Sequence, residues 1–188
     1  MDLWEIKNYK VSCWISIDNI NEYRDLVDSI KCNGYNVKSY KNFSIIQGIF
    51  KYNLFCNGHI NISGIERQEY FKYIHSDINQ IFNKTLIKNE DCYIKIDNIS
   101  ATVNASSSCL NLYHLYLKIK DYIANSKLDR HNINIMYEPE VFHAIKISSK
   151  YGHGLIFSTG KINYLGIKSV KNLMKFHKFV FCLINELS

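Results

Sequence analysis

A stretch of twelve residues occurs twice in this chain, and the repetition limits its possible folds more than any other feature. Leu54-Phe55-Cys56-Asn57-Gly58-His59-Ile60-Asn61-Ile62-Ser63-Gly64-Ile65 runs parallel to Ile156-Phe157-Ser158-Thr159-Gly160-Lys161-Ile162-Asn163-Tyr164-Leu165-Gly166-Ile167. Each pair stands 102 positions apart, as Phe55 and Phe157 do. Extended upstream without a gap, the same spacing sets Tyr40 opposite Phe142. A repeat of this length implies two copies of one supersecondary unit.

Each copy reads as strand, helix, several strands, helix. Lys7 to Ile17 is strand-like, and Asn19 or Asn21 can cap a helix whose apolar positions Ile20, Tyr23, Val27 and Ile30 keep helical spacing until Gly34. The second copy offers a strand over Ile94 to Val103 and a helix over Leu110 to Ile123. Gly58 and Gly160 mark tight turns, and amphipathic helices close the units, from about Arg67 to Phe82 and from about Ser169 to Leu187. The halves, residues 1–86 and 87–188, meet near Lys84 to Asp91 without a Pro-rich or Gly-rich linker. One continuous sheet is therefore expected rather than two independent domains.

Strand alternation sorts the repeated side chains into two faces. Leu54, Cys56, Ile60 and Ile62 fall on one face, and Phe55, Asn57, His59, Asn61 and Ser63 on the other. In the second copy Phe157, Thr159, Lys161, Asn163 and Leu165 share the equivalent side. An aromatic on a polar face could pack beneath a loop, but finding it twice at matched positions weakens that account. Amides around an aromatic wedge suit a DNA minor groove, where bases present mostly acceptors and an apolar side chain can unstack a step.

The net charge of +6 and pI near 8.9 are compatible with an acidic partner such as nucleic acid but do not require one. Arg24, Arg67 and Arg130 are the chain's arginines, too few to favour bidentate reading of guanine in the major groove. Six cysteines form no CxxC pair, and the N-terminal residues have no apolar run of the signal-peptide kind, so an intracellular chain with reduced thiols is expected. No apolar stretch reaches the roughly 20 residues of a membrane span. The histidines, His59, His75, His114, His131, His143, His153 and His177, lack ligand spacing. Cys56 and His59, three apart on a strand, would face opposite ways, and no phosphate-cradling loop or catalytic carboxylate pair is present. No metal, cofactor or enzymatic activity is expected.

Tyr137-Glu138-Pro139-Glu140-Val141-Phe142, which holds the chain's single proline, resembles the Tyr-Glu-Pro-Glu-Leu-Phe stirrup of the TATA-box-binding protein family. Tyr35-Asn36-Val37-Lys38-Ser39-Tyr40 is similar to its first-repeat counterpart. Leu155 to Lys161, continuing through Leu165-Gly166-Ile167-Lys168, resembles the family's Leu-Ile-Phe-x-Ser-Gly-Lys and Thr-Gly-Ala-Lys. Lys7-Asn8-Tyr9 and Asp97-Asn98-Ile99 look like its paired Gln-Asn-Ile strands. That family is itself a standard example of DNA kinking through the minor groove.

The resemblance implies an α+β fold, a saddle in which two pseudo-symmetric repeats form one curved antiparallel sheet with helices on the convex face. It implies that Phe142 with Phe157, and Tyr40 with Phe55, kink the ends of a bound promoter duplex. Asn8 and Asn98 would donate to base acceptors at the centre of the groove, with Asn57, Asn61, Ser63, Thr159, Asn163 and Leu165 lining it. Lys161 and Lys168 would contact phosphates. Glu138, Glu140 and Val141 look like the contact for a transcription factor IIB-like protein. Lys171, Lys175 and Lys178 continue a stripe from Lys168 that could meet acidic regulatory or polymerase-associated proteins.

His59 and Glu66 stand where the family's first repeat has lysines, so the second lobe is expected to dominate affinity. Asn61 and Asn163 replace groove-facing valines, and an amide can accept from guanine N2, which relaxes A·T preference. The alternative is a saddle-fold interaction module that assembles a transcription complex with little DNA binding. Location in a nucleus or a cytoplasmic viral replication site follows from the resemblance. The Asn/Lys/Ile/Tyr richness fits a large DNA virus and equally an AT-biased genome of another lineage.

Overall fold

The computed structural model describes residues 5–87, 93–105, 109–125 and 133–187. Cys92, Arg130, His131 and part of the connector between Lys84 and Asp91 lie outside them. The chain divides into two compact units, Asn8–Asp97 and Met1–Lys7 with Asn98–Ser188, called here the amino and carboxy units.

Both units follow one plan. The elements of the first are β1 (Glu5–Trp14), α1 (Ile20–Cys32), β2 (Asn36–Ser39), β3 (Phe43–Gln47), β4 (Lys51–Phe55), β5 (His59–Ile65) and α2 (Phe71–Phe82). Its antiparallel strands are ordered β2-β3-β4-β5-β1. The second has β6 (Lys95–Asn104), α3 (Leu112–Asn125), β7 (Ile133–Met136), β8 (Ala144–Ser149), β9 (Gly152–Phe157), β10 (Lys161–Ile167) and α4 (Val170–Leu187). Its order is β6-β10-β9-β8-β7, so each unit is a strand, a helix, a four-strand meander that returns beside the first strand, and a closing helix.

Local chemistry accounts for most boundaries. The Asn19 carboxamide caps α1, accepting from the backbone N–H of Asn21 and Glu22 at 3.0 Å each. Ser169 caps α4 in the same manner through the N–H of Asn172 at 3.1 Å. The second helix starts later than its apolar pattern suggests, because a 3-10 turn over Gln68–Tyr70 comes first. It ends on Asn83, held in the left-handed region at φ 48°. The first helix of the carboxy unit is likewise shifted from the expected Leu110–Ile123 to Leu112–Asn125, and β1 stops at Trp14 rather than Ile17.

Alternation gives each sheet one apolar face, and the helices cover it. Val11, Ile46, Tyr52, Leu54, Ile60 and Ile62 are buried beneath α1 and α2, which contribute Val27, Ile30, Ile74, Ile78 and Ile81. Ile145, Ile147, Ile156, Ile162 and Tyr164 pack beneath α3 and α4 in the same way, against Leu115, Ile119, Leu173, Phe176 and Val180. Burying each such side chain contributes roughly 1.5–3 kcal/mol before entropy is set against it. Three phenols in these cores have partners. Tyr52 donates to the buried Asp77 carboxylate on α2, Tyr23 and Ser44 share a 2.8 Å bond, and Tyr164 meets His177 Nδ1 at 2.9 Å. Burial, with the Asp77 carboxylate beside it, pushes the Tyr52 phenol far above its ordinary range and keeps it a donor.

The repeated glycines close three-residue hairpin loops. Gly58 N–H returns to the Phe55 carbonyl at 3.0 Å with φ 82°, and Gly160 does the same to Phe157 at 3.0 Å with φ 76°. Each glycine carbonyl then accepts from the residue after its neighbouring strand, from Ile15 at 3.0 Å and from Ala105 at 2.9 Å. A Cβ on Gly58 would stand 2.1 Å from the Ile15 carbonyl oxygen, whereas one on Gly64, at φ 88°, meets nothing within 4 Å. Gly58→Ala is therefore expected to lose about 3 kcal/mol or more, and Gly64→Ala only the backbone cost of about 1–2 kcal/mol. Urea unfolding of the two variants checks the difference.

Candidate nucleic-acid interface

Two helices cover one face of each sheet and leave the other open. Register determines what that open face carries. In the amino unit Phe43 lies opposite Phe55, and Trp14 opposite His59. Their rings form a continuous row: Phe43 to Phe55 at 5.6 Å, Phe55 to His59 at 5.6 Å, and His59 to Trp14 at 4.8 Å. Tyr40 extends it, stacked on Phe43 at 4.7 Å with the planes 11° apart. Phe43 thus stands between Tyr40 and Phe55, and the expected two-ring pair is a longer stack.

The carboxy unit keeps the pair. Phe142 meets Phe157 edge-on at 6.0 Å and 76°, and remains 48% exposed. Ala144 lies opposite Phe157, in the place that Phe43 occupies in the amino unit. Phe43 and Ala144 are 101 positions apart, not 102, so the gap-free match of Tyr40 to Phe142 does not hold through these strands. The amino unit's hairpin is one residue shorter from Phe43 to Phe55 than the carboxy unit's from Ala144 to Phe157, and Tyr40 is one residue farther from Phe43 than Phe142 is from Ala144. The two differences cancel in the count. Tyr35 to Tyr40 is also not a loop like Tyr137 to Phe142, because Asn36–Ser39 pairs with β3 as a strand.

Asn8 and Asn98 hold corresponding places. Each accepts a backbone N–H through Oδ1, from Gly64 at 3.0 Å and from Gly166 at 2.6 Å. Both glycines have positive φ and sit where two residues of β5 or β10 oppose one of β1 or β6, the geometry of a β-bulge. With the oxygen engaged, the amide turns its donor end away from the backbone. Asn98 Nδ2 reaches Ser100 Oγ at 3.1 Å. Asn163 is oriented the same way, its oxygen accepting from Thr102 at 3.1 Å. Asn61 lies opposite Asn53, whose buried Oδ1 has no partner among the described residues. Ser63 completes this side of β5, half-buried, and Leu165 lies exposed beside its bulge glycine.

Asn57 and Thr159 fall elsewhere. They occupy the exposed hairpin loops before Gly58 and Gly160, where the chain has left the strand, so they do not share the sheet face as simple alternation suggested. Asn57 instead accepts the His59 N–H at 3.2 Å. Cys56 is in the same loop, half-buried, and not on the apolar face.

No Asp or Glu occurs in β2–β5 or β7–β10. Those strands do carry Lys38, Lys51, Lys146 and Lys161, and Lys168 follows β10 directly, exposed. Where the carboxy unit has Lys161, the amino unit has His59, and burial lowers the His59 pKa and favours the neutral ring. The position of Lys168 is matched by Glu66, also exposed.

Glu138, Glu140 and Val141 project from the β7–β8 loop, Val141 at 81% exposure, while Tyr137 anchors it against Tyr116 of α3 at 5.9 Å. Val141 and Phe142 both return their N–H to the Glu138 carbonyl, at 3.0 and 2.8 Å. Lys171, Lys175 and Lys178 are exposed along α4. Among the described residues no three His, Cys, Asp or Glu side chains gather as metal ligands, and no helix is long and apolar enough to cross a membrane.

Comparison with known proteins agrees with this geometry. A family model described as transcription factor TFIID, or TATA-binding protein, matches residues 93–187. The structure is similar to the solved TBP of Methanococcus jannaschii, with a TM-score of 0.68 and 20% identity over 97% of this chain and 98% of that one. The likeness establishes the fold. No curated protein sequence matches.

The bulge contacts are separable from any ligand role. Asn98→Ala removes the acceptor for Gly166 and should cost about 1 kcal/mol of stability, while Asn98→Asp keeps it and should stay within about 0.5 kcal/mol of the parent. Denaturant unfolding at neutral pH reads both.

Proposed function

The chain belongs to the transcription factor TFIID, or TATA-binding protein, family, and from that premise we propose that it binds and bends promoter DNA through the minor groove. The observation that carries the reading is the half-exposed Phe142 set edge-on against Phe157 on a strand surface without carboxylates. Folding alone does not account for large rings left open to water on the uncovered face. A duplex step does, because an apolar wedge unstacks it at a cost of a few kcal/mol, which a bent duplex offsets with wider contact.

The chemistry follows the face. Asn8 and Asn98, their oxygens held by bulge glycines, present amide hydrogens to adenine N3 and thymine O2, the acceptors common to A·T pairs in either orientation. Asn61, Asn163, Ser63 and Leu165 line the groove, with Asn57 and Thr159 at its margin. Lys161 and Lys168 neutralise phosphates, so affinity falls with salt. The exposed Glu138, Glu140 and Val141 serve a transcription factor IIB-like partner. Lys171, Lys175 and Lys178 offer a cationic stripe to acidic components of the polymerase machinery. The activity is binding, exerted where the transcribed DNA lies.

A second reading rests on the amino unit, whose rings are stacked on one another and whose His59 and Glu66 replace cations. In that reading the fold assembles a protein complex with little DNA contact. A duplex of A·T-rich sequence labelled at both ends separates the two by energy transfer. The parent should bring the ends together. Phe142→Ala with Phe157→Ala should reduce the bend and weaken binding at least tenfold, equivalent to about 1.4 kcal/mol. Unchanged affinity and bend in that variant would overturn the wedge. A parent that binds a transcription factor IIB-like protein but no duplex would favour the assembly module.

A further inference from the structure

The amino unit contains a recess of about 360 Å³ on the open side of its outer strands. Asn36, Lys38 and Tyr40 form one wall, Ile45 and Gln47 lie on the middle strand, and Lys51 closes the far side. Register explains the grouping. Lys38 lies opposite Ile45, and Gln47 pairs with both Asn36 and Lys51, so these side chains point to one face.

The recess has the chemistry of an anion site. Two ammonium groups and two carboxamides surround an apolar Ile45, with a phenol at the end, and β2–β5 supply no carboxylate to compete. Lys31, Arg67 and Lys84 are held by Asp28, Glu69 and Glu22, whereas no ion pair holds Lys38 or Lys51 among the described residues. The carboxy unit does not reproduce the arrangement. Met136 pairs with Lys146 where Lys38 pairs with Ile45, and Ser148 pairs with His153 where Gln47 pairs with Lys51. The cations that His59 and Glu66 fail to provide are thus present in the amino unit, displaced towards its outer strands.

Resting on the minor-groove reading above, we propose that Lys38 and Lys51 clamp a phosphodiester of the bound DNA strand in this recess, with Asn36 and Gln47 donating to phosphate oxygens and Ile45 against the sugar. The amino unit then grips the backbone at a site of its own. It does not use the positions that Lys161 and Lys168 occupy in the carboxy unit. On this proposal the two units hold the backbone with clamps of different design.

The test is the salt dependence of duplex binding by the full chain. Each phosphate neutralised contributes roughly −0.9 to the slope of log K against log salt. Lys38→Ala with Lys51→Ala should make the slope less negative by about 0.9, and Lys38→Arg with Lys51→Arg should restore it. Lys31→Ala, which alters a paired lysine on α1, should leave the slope unchanged, and thermal melting verifies that every variant is folded. A slope in the double alanine variant equal to the parent's, or one shifted equally by Lys31→Ala, overturns the clamp and leaves the wedge reading intact. A parent that binds no duplex overturns both.

Discussion

One-sided burial governs this protein. The five strands of each unit have two helices, enough to cover one of their faces. Isoleucine, valine, leucine and tyrosine fill the covered face, and their burial drives folding. The period of two then dictates that the intervening residues form a second surface, which the fold itself does not need to be apolar. That surface carries aromatics, amides and lysines without an acidic residue on eight of the strands.

The units share their backbone plan and differ in what they put on it. The hairpin glycines, the bulge glycines and the asparagines that hold them occur in both. One row of side chains does not. The carboxy unit has Ala144, Phe157 and Lys161, leaving Phe142 room to stand edge-on. The amino unit has Phe43, Phe55 and His59, so Tyr40 lies flat on a stack. Stacking covers ring faces, and insertion into a base step must give that contact up, at roughly 0.5–1.5 kcal/mol per ring pair. On the proposed wedge, insertion would therefore cost more in the amino unit than in the carboxy unit.

Much of this is legible in the sequence. The repeated Phe-x-x-Gly-x-Ile-Asn core reveals two units, because glycine at positive φ and apolar alternation leave a mark in residue identity. The stirrup-like Tyr137 to Phe142 is equally plain. Register is harder to read. Tyr40 matches Phe142 by count only because a hairpin shorter by one residue and a longer approach to Phe43 offset each other. Phe43 and Trp14 belong to no repeated motif, and their contribution emerges only once β3 is set against β4 and β1 against β5. Asn57 and Thr159 escape alternation because the chain turns at both residues. Lys38 and Lys51, thirteen positions apart in the chain, come together only across three strands.

Minor-groove reading by an acid-free face is the central claim, and base substitution tests it without altering the protein. Replacing A·T pairs of a bound site with hypoxanthine·cytosine changes the exocyclic major-groove groups and removes the thymine methyl, keeping only purine N7 there, but leaves the minor-groove acceptors without an added amino group. Affinity and bend should then be retained within about twofold, a difference of roughly 0.4 kcal/mol. Loss of binding on that duplex, with the unmodified site bound normally, would contradict minor-groove reading.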